Sequence, residues 1–263
     1  MKHILVIGSA NADFTIHADR LPRLGETLPG RDFSVNIGGK GLNQAIAVQK
    51  LGGQAAFLGA VGHDMNGALL LKAMADQSIS FHGICSDKES TGIALITVVK
   101  GDNCILLHPG ANSCMRAEVI REKKELIENA AAAIFQLEIP PEAVMEGIRI
   151  AHTAGVPVYL NPAPARDLPE NIYPLIDYLI PNEHEAAALS GVEAETEEGC
   201  RENIRFFREK GVKNVLITRG VKGCAYHEEG KPCHGKGAPG LHGSALGIGL
   251  GYHAGKRHRQ ARG

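Results

Sequence analysis

Short apolar runs alternate with helix-like segments through the first 230 residues, and this alternation limits the fold more than any other feature of the chain. The runs Ile4–Ile7, Ala56–Leu58, Ala132–Leu137, Val156–Leu160, Tyr178–Ile180 and Asn214–Thr218 read as buried strands. Segments near 40–51, 65–77, 116–129, 140–154, 183–190 and 196–210 carry helical spacing. Strands that alternate with helices need crossover connections, and crossovers make a mostly parallel sheet. The expected fold class is therefore α/β: a doubly wound, mostly parallel sheet flanked by helices. Ligands of such sheets collect in the loops that follow the strands' C-terminal ends.

Two stretches break the rhythm. Residues 14–36 and 92–108 are extended and β-rich, and Gly101-Asp102 between two apolar runs predicts a hairpin. Together they form either a small β-sheet lid over the main domain or surface hairpins without a role.

Charge and composition narrow the function class. No apolar stretch approaches the ~18 residues a membrane span needs, and Ile4–Gly8 is too short for a signal-peptide core. A cytoplasmic location follows as the expectation. A net charge of −1 predicts no general affinity for nucleic acid or membrane. Cys85, Cys104, Cys114, Cys200, Cys224 and Cys233 form no CxxC pair and read as free thiols. The charge is uneven: residues 231–263 hold six Lys/Arg and no acid, against 22 Lys/Arg and 29 Asp/Glu elsewhere. The expected division is an α/β domain over 1–230 and a Gly/His/basic tail over 231–263, too glycine-rich to bury much core.

Four clusters carry candidate chemistry. Gly38-Gly39-Lys40-Gly41-Leu42-Asn43-Gln44-Ala45 opens the first long helix. Its glycines admit a ligand close to the backbone beside free helix N–H groups; the alternative is a flexible capping loop. Gly8-Ser9-Ala10-Asn11-Ala12-Asp13 follows the first strand, where Asn and Asp either grip hydroxyl groups or make an ordinary turn. Pro181-Asn182-Glu183-His184-Glu185 offers Asn182 and Glu185 either to one ligand or hydrated metal, or to a helix start. Thr218-Arg219-Gly220-Val221-Lys222-Gly223 suits nucleotide phosphates or ribose, or else a solvated basic turn. Gln136-Leu137-Glu138 and Asn161-Pro162-Ala163-Pro164-Ala165-Arg166 close strands at the same rim.

In this order, and with His108-Pro109-Gly110-Ala111-Asn112 between them, these motifs resemble the ribokinase-like (PfkB) carbohydrate kinases over about residues 3–228. The resemblance implies transfer of the ATP γ-phosphate to the 5-hydroxyl of D-ribose, giving ribose 5-phosphate. It implies Mg²⁺ as cofactor, a monovalent cation such as K⁺ as activator, and a homodimer formed through the β lid. Carried over by position, Asn11, Asp13, Gly39, Lys40, Asn43 and Glu138 bind the sugar. Asn182, Thr218, Arg219, Gly220 and Gly223 bind ATP, and Glu185 meets the metal through water. Leu42 stands where the family usually has Ala. Another sugar or a nucleoside remains open as substrate.

The resemblance stops near Lys231. The family continues with a segment like Asp-Thr-Thr-x-Ala-Gly-Asp, whose glycines form an anion hole and whose last Asp is the catalytic base. No such segment is present here, and the last aspartate is Asp177. The expectation is an incomplete C-terminal part of the domain, no identified catalytic residue, and a sugar-binding chain without turnover as the alternative function. A one-base frameshift accounts for the tail: permissible codons for Gly251–His258, read one base later, give Asp-Thr-Thr-Pro-Ala-Ser-Asp.

Overall fold

The computed structural model describes residues 2–227. The tail over 231–263, its frameshift origin and the missing catalytic segment fall outside the described residues.

The chain begins with β1 (Ile4–Ile7), β2 (Asn11–Ala18), β3 (Arg31–Gly38) and α1 (Lys40–Lys50). Then come β4 (Ala55–Leu58), β5 (Ala60–Gly62), α2 (Met65–Asp76), β6 (Ser80–Phe81) and β7 (Ile84–Ser86). The hairpin β8 (Gly92–Val99) and β9 (Asp102–His108) precedes α3 (Ala117–Glu122), α4 (Lys124–Glu128) and β10 (Ala132–Phe135). The order closes with α5 (Pro141–Thr153), β11 (Val158–Leu160), β12 (Tyr178–Leu179), α6 (Glu183–Ser190), α7 (Glu197–Glu209), β13 (Asn214–Thr218) and β14 (Cys224–His227).

Eight strands form the central sheet in the order β14-β13-β12-β11-β10-β1-β4-β6, parallel throughout except at β14. The expected α/β class is what the chain adopts. Successive side chains of β1 go to opposite faces, and both are covered. Val6 joins Leu42, Ala45, Phe57, Leu70 and Met74 beneath α1 and α2. Leu5 and Ile7 join Ile120, Phe135, Ile148, Ile204 and Phe207 beneath α3–α7. Chain order runs outward from β1 through β4 in one direction and from β10 onward in the other. The gap between the C-terminal ends of β1 and β10 is therefore the topological switch point, where open sheets of this kind form a crevice.

The two irregular stretches do make one small sheet, β3-β2-β8-β9. Its strands begin earlier and end later than expected, because β2 starts at Asn11 and β3 runs to Gly38. The β8–β9 turn sits one residue before the expected pair: Lys100 and Gly101 take positive φ (52° and 91°), while Asp102 already pairs with Val99. Two positive-φ residues give the turn whose twist matches that of the strands.

Other boundaries shift for local reasons. β11 starts at Val158 rather than Val156, since Pro157 has no N–H to donate and its carbonyl is taken by Ala133. β10 stops at Phe135, where Gln136 leaves the ladder and bonds Gln44 with its side chain. The single helix expected over 116–129 is two, broken at Lys123, with Ile120 and Ile127 both buried on either side. β14 and the short strands β5, β6 and β7 carry no clear signal in the sequence.

Phe135 is fully buried in the core beside Gly147 of α5. Phe135→Ala is expected to cost about 3–5 kcal/mol in urea unfolding, since the close-packed surroundings cannot collapse onto the void.

Candidate functional site

The crevice is closed from below by one hydroxyl. Ser9, fully buried just past β1, donates from Oγ to Glu138 Oε2 at 2.5 Å, joining the loops after β1 and β10 across the switch point. The same oxygen accepts from Gly41 N at 3.4 Å, and the Ser9 carbonyl accepts from Leu42 N at 2.9 Å. Glu138 Oε2 also accepts from Lys40 N at 3.1 Å. The start of α1 is thus held against both loops, with its free N–H groups spent on a carboxylate and a serine.

This packing explains the glycine at the helix entry. Gly39 has φ 88°, and a Cβ there would lie 2.8 Å from the Ala10 Cα, the Asn11 N and the Ser9 O. Neither the conformation nor the space admits another residue.

Asn11 and Asp13 enter the crevice from β2, two residues apart and so on one face of the small sheet. Asn11 is buried, with its Oδ1 accepting from Asn112 Nδ2 at 2.8 Å. Burial, and secondarily the charge of Glu138, pushes the Asp13 carboxyl up to about 6. Asn43 lies one turn into α1, its N–H bonded to Gly39 O. All six residues expected at the sugar therefore come from three places that meet at the switch point: Asn11 and Asp13 from the start of β2, Gly39, Lys40 and Asn43 from the start of α1, and Glu138 from the loop after β10. Leu42 is fully buried in the core beneath α1 and does not line the crevice.

The second group lies further along the sheet. Asn182 and Glu185 form a reciprocal cap on α6: Asn182 Oδ1 accepts from Glu185 N at 2.7 Å, and Glu185 Oε2 accepts from Asn182 N at 2.8 Å. The helix-start reading of this motif is thus realised. Burial raises the Glu185 carboxyl, opposed by its backbone bond and by the Lys40 charge, so the α6 start faces the α1 loop. Thr218 bridges to Asn182 and donates its N–H to Pro181 O at 2.9 Å. Arg219 turns back to Glu183 Oε1 (3.4 Å) and Glu195 O (3.1 Å), and Lys222 also reaches Glu183. Gly220 and Gly223 take positive φ in the short turn between β13 and β14. A groove of about 580 Å³ borders this turn, lined by Arg201, Arg205, Arg208, Arg219 and Lys222 together with Glu197 and Glu209.

Ser9 and Asn112 were legible only as members of their motifs. What marks their roles is burial of a polar side chain, which needs a partner, and burial is a property of the fold. Among the described residues, Cys85, Cys104, Cys114, Cys200 and Cys224 are free thiols, and no helix is long and apolar enough to cross a membrane.

The family model for the pfkB family carbohydrate kinases matches residues 1–240. The chain belongs to this family. A pfkB-family kinase phosphorylates a carbohydrate, and the similar proteins carry that activity by name. The chain is 39% identical over 232 residues to the ribokinase of Haemophilus influenzae, covering 88% of this chain and 76% of that one. It is 36% identical over 234 residues to the ribokinase of Staphylococcus aureus, covering 88% and 77%. Among solved structures, Arabidopsis thaliana ribokinase complexed with ribose and ATP superposes with a TM-score of 0.81 at 32% identity, over 89% of this chain and 77% of that one. The Thermotoga maritima ribokinase gives 0.79 at 32% identity, over 90% and 78%.

Asp13 supplies a stability prediction. Its folded pKa, about 6, lies above the ordinary 3.8. Between these values the folded state holds the extra proton, so stability falls as pH rises from about 4 to 6 and stays lower above it. Asp13→Asn is expected to abolish that slope and to raise stability at pH 7 by roughly 2–3 kcal/mol, read from thermal melts across pH 4–8.

Proposed function

We propose that this chain binds D-ribose in the switch-point crevice and ATP along the α6–β13 rim, and transfers the γ-phosphoryl group to the sugar's 5-hydroxyl. One observation carries the reading: Asp13, Glu138 and the Lys40 loop converge at the switch point, in a chain whose matched relatives are ribokinases.

The chemistry of the residues supports it. A sugar offers several hydroxyls, and a set of acceptors (Asp13, Glu138) with donors (Asn11, Lys40, Asn43) holds one orientation among them. Gly39, which packs against the backbone of Ser9, Ala10 and Asn11, brings the start of α1 to the sugar. Asn182 meets the nucleotide phosphates with its free Nδ2, while Thr218, Arg219, Gly220 and Gly223 line the nucleotide. The excess of cations in the adjoining groove suits an anionic ligand. The small sheet covers the sugar and keeps water from the phosphoryl group.

Among the described residues no group of three or more His, Cys, Asp or Glu converges on a metal position. Mg²⁺ would be held mainly by phosphates and water, with Glu185 as the carboxylate behind the water. When bound, the ion neutralises phosphate charge. K⁺ enters only as the family's activator, with no described residue assigned to it. No described residue is assigned as the base that takes the hydroxyl proton. The cytoplasmic location and the division at 230/231 belong to the same proposal.

Two alternatives stay with it. Another sugar or a nucleoside replaces ribose if the crevice selects differently. Sugar binding without turnover is the second alternative.

Calorimetry and a coupled ATP-turnover assay separate these readings. The expected result is ribose binding that strengthens from pH 5 to 7, because a hydroxyl donating to Asp13 favours its charged form. Protons are then released near pH 6, seen as a heat that varies with buffer. Binding of another sugar in place of ribose, or binding without turnover, selects the corresponding alternative.

The lid supports a dimer. Val35, Phe14, Leu95 and Leu106 lie opposite one another in one row across β3-β2-β8-β9. This row is on the face away from Asn11 and Asp13, and Leu95 (52% exposed) and Leu106 (74%) are open to solvent. Leu106→Asp is expected to shift the protein from dimer to monomer in sedimentation; an unaltered chain that sediments as a monomer removes the dimer from the proposal.

A further inference from the structure

We infer that Asn112 is a positioning residue that fixes the polarity of the Asn11 amide, so that Asn11 offers a sugar hydroxyl a donor and not an acceptor. The inference rests on the sugar-site reading above.

Backbone atoms fix the assignment, because their donor and acceptor roles are not interchangeable. Asn112 is buried (1% exposed) in the turn of residues 110–114 that follows β9. Ala10 N can only donate, and it meets Asn112 at 3.0 Å, so that Asn112 atom is the oxygen. The other terminal atom is then the NH₂, which donates to Ala10 O at 3.1 Å and to Asn11 at 2.8 Å. An NH₂ cannot accept, so the Asn11 atom facing it is Oδ1. The Asn11 NH₂ is what remains for a ligand.

This polarity suits a hydroxyl. A hydroxyl oxygen that accepts from Asn11 keeps its own proton for an acceptor. Asp13, two residues along β2 on the same sheet face, is such an acceptor. An Asn11 amide turned the other way would set two acceptors against the same group. The turn that carries Asn112 is also the root of the lid hairpin: it follows β9 directly, and Ala111 N bonds Ser90 O (2.7 Å) just before β8. The segment that covers the sugar is thus the one that orients its first contact.

The test is ribose calorimetry on the full chain with Asn112→Asp and Asn11→Asp. Asn112→Asp keeps the acceptor for Ala10 N and removes the NH₂, so the Asn11 amide inverts to donate to the new carboxylate. Asn11→Asp leaves Asn112 in place and exposes an acceptor to the sugar, and it serves if Asn112→Asp does not fold by thermal melt. The expected result for each is ribose affinity roughly 10- to 100-fold weaker. The loss should disappear for the one monodeoxy analogue of ribose that lacks the hydroxyl Asn11 meets. Unchanged ribose affinity in the folded variants, or an equal loss for every analogue, overturns the inference while the sugar site stands. Failure of the unaltered chain to bind ribose overturns the sugar-site reading and this inference with it.

Discussion

The Ser9–Glu138 hydrogen bond is the contact on which the rest of the site depends, because it spans the place where the sheet reverses direction. Parallel strands leave their C-terminal ends as loops with unpaired backbone groups. At the switch point the two neighbouring loops diverge, and nothing in the ladder holds them together. A buried hydroxyl given to a carboxylate is a strong bond in such surroundings. Once formed it supplies an anchor for the helix N-terminus: Lys40 N and Gly41 N both point at the joined pair. The close approach this requires leaves room only for glycine at position 39. One constraint therefore sets the crevice width, the entry of α1 and the location of the carboxylate.

The electrostatic consequence is a pair of acids in one crevice. Asp13 is raised because it is buried, and secondarily because it lies near Glu138, whose carboxylate accepts from Ser9 Oγ and Lys40 N. Free of ligand, this arrangement is unfavourable at neutral pH, as binding sites often are. Hydrogen bonds donated to both carboxylates would compensate their burial, so a ligand that supplied them would draw its affinity from the same source as the instability.

Much of this could be read from the sequence. The alternation of apolar runs and helical spacing was sufficient for the parallel sheet, because strands buried on both faces cannot hide their composition. The loops that meet at the site announced themselves through glycine, Asn and Asp directly after strands. Short elements were harder. β5, β6 and β7 span only two or three residues each, and β14 is a four-residue edge strand, below the length at which periodicity speaks. Polar pairs were harder still. Ser9 with Glu138 and Asn112 with Asn11 lie 129 and 101 residues apart, and no local pattern connects them. Asn182 and Glu185 show the reverse case: a capping box is entirely local, so its helix-capping reading could be made from the sequence alone and the bonds bear it out.

The strand β2 has a further consequence for how this chain can change its length. Its alternate residues serve different masters: Asn11 and Asp13 look into the crevice, while Phe14 belongs to the exposed apolar row. Inserting or deleting one residue before Phe14 would exchange the two faces outright. The irregular register between Thr15 and His17 lies beyond both site residues, so an odd residue is absorbed there without disturbing them. Variation in lid length should therefore accumulate outward of Thr15, in the loop of residues 19–30, while the spacing from Ser9 to Phe14 stays fixed.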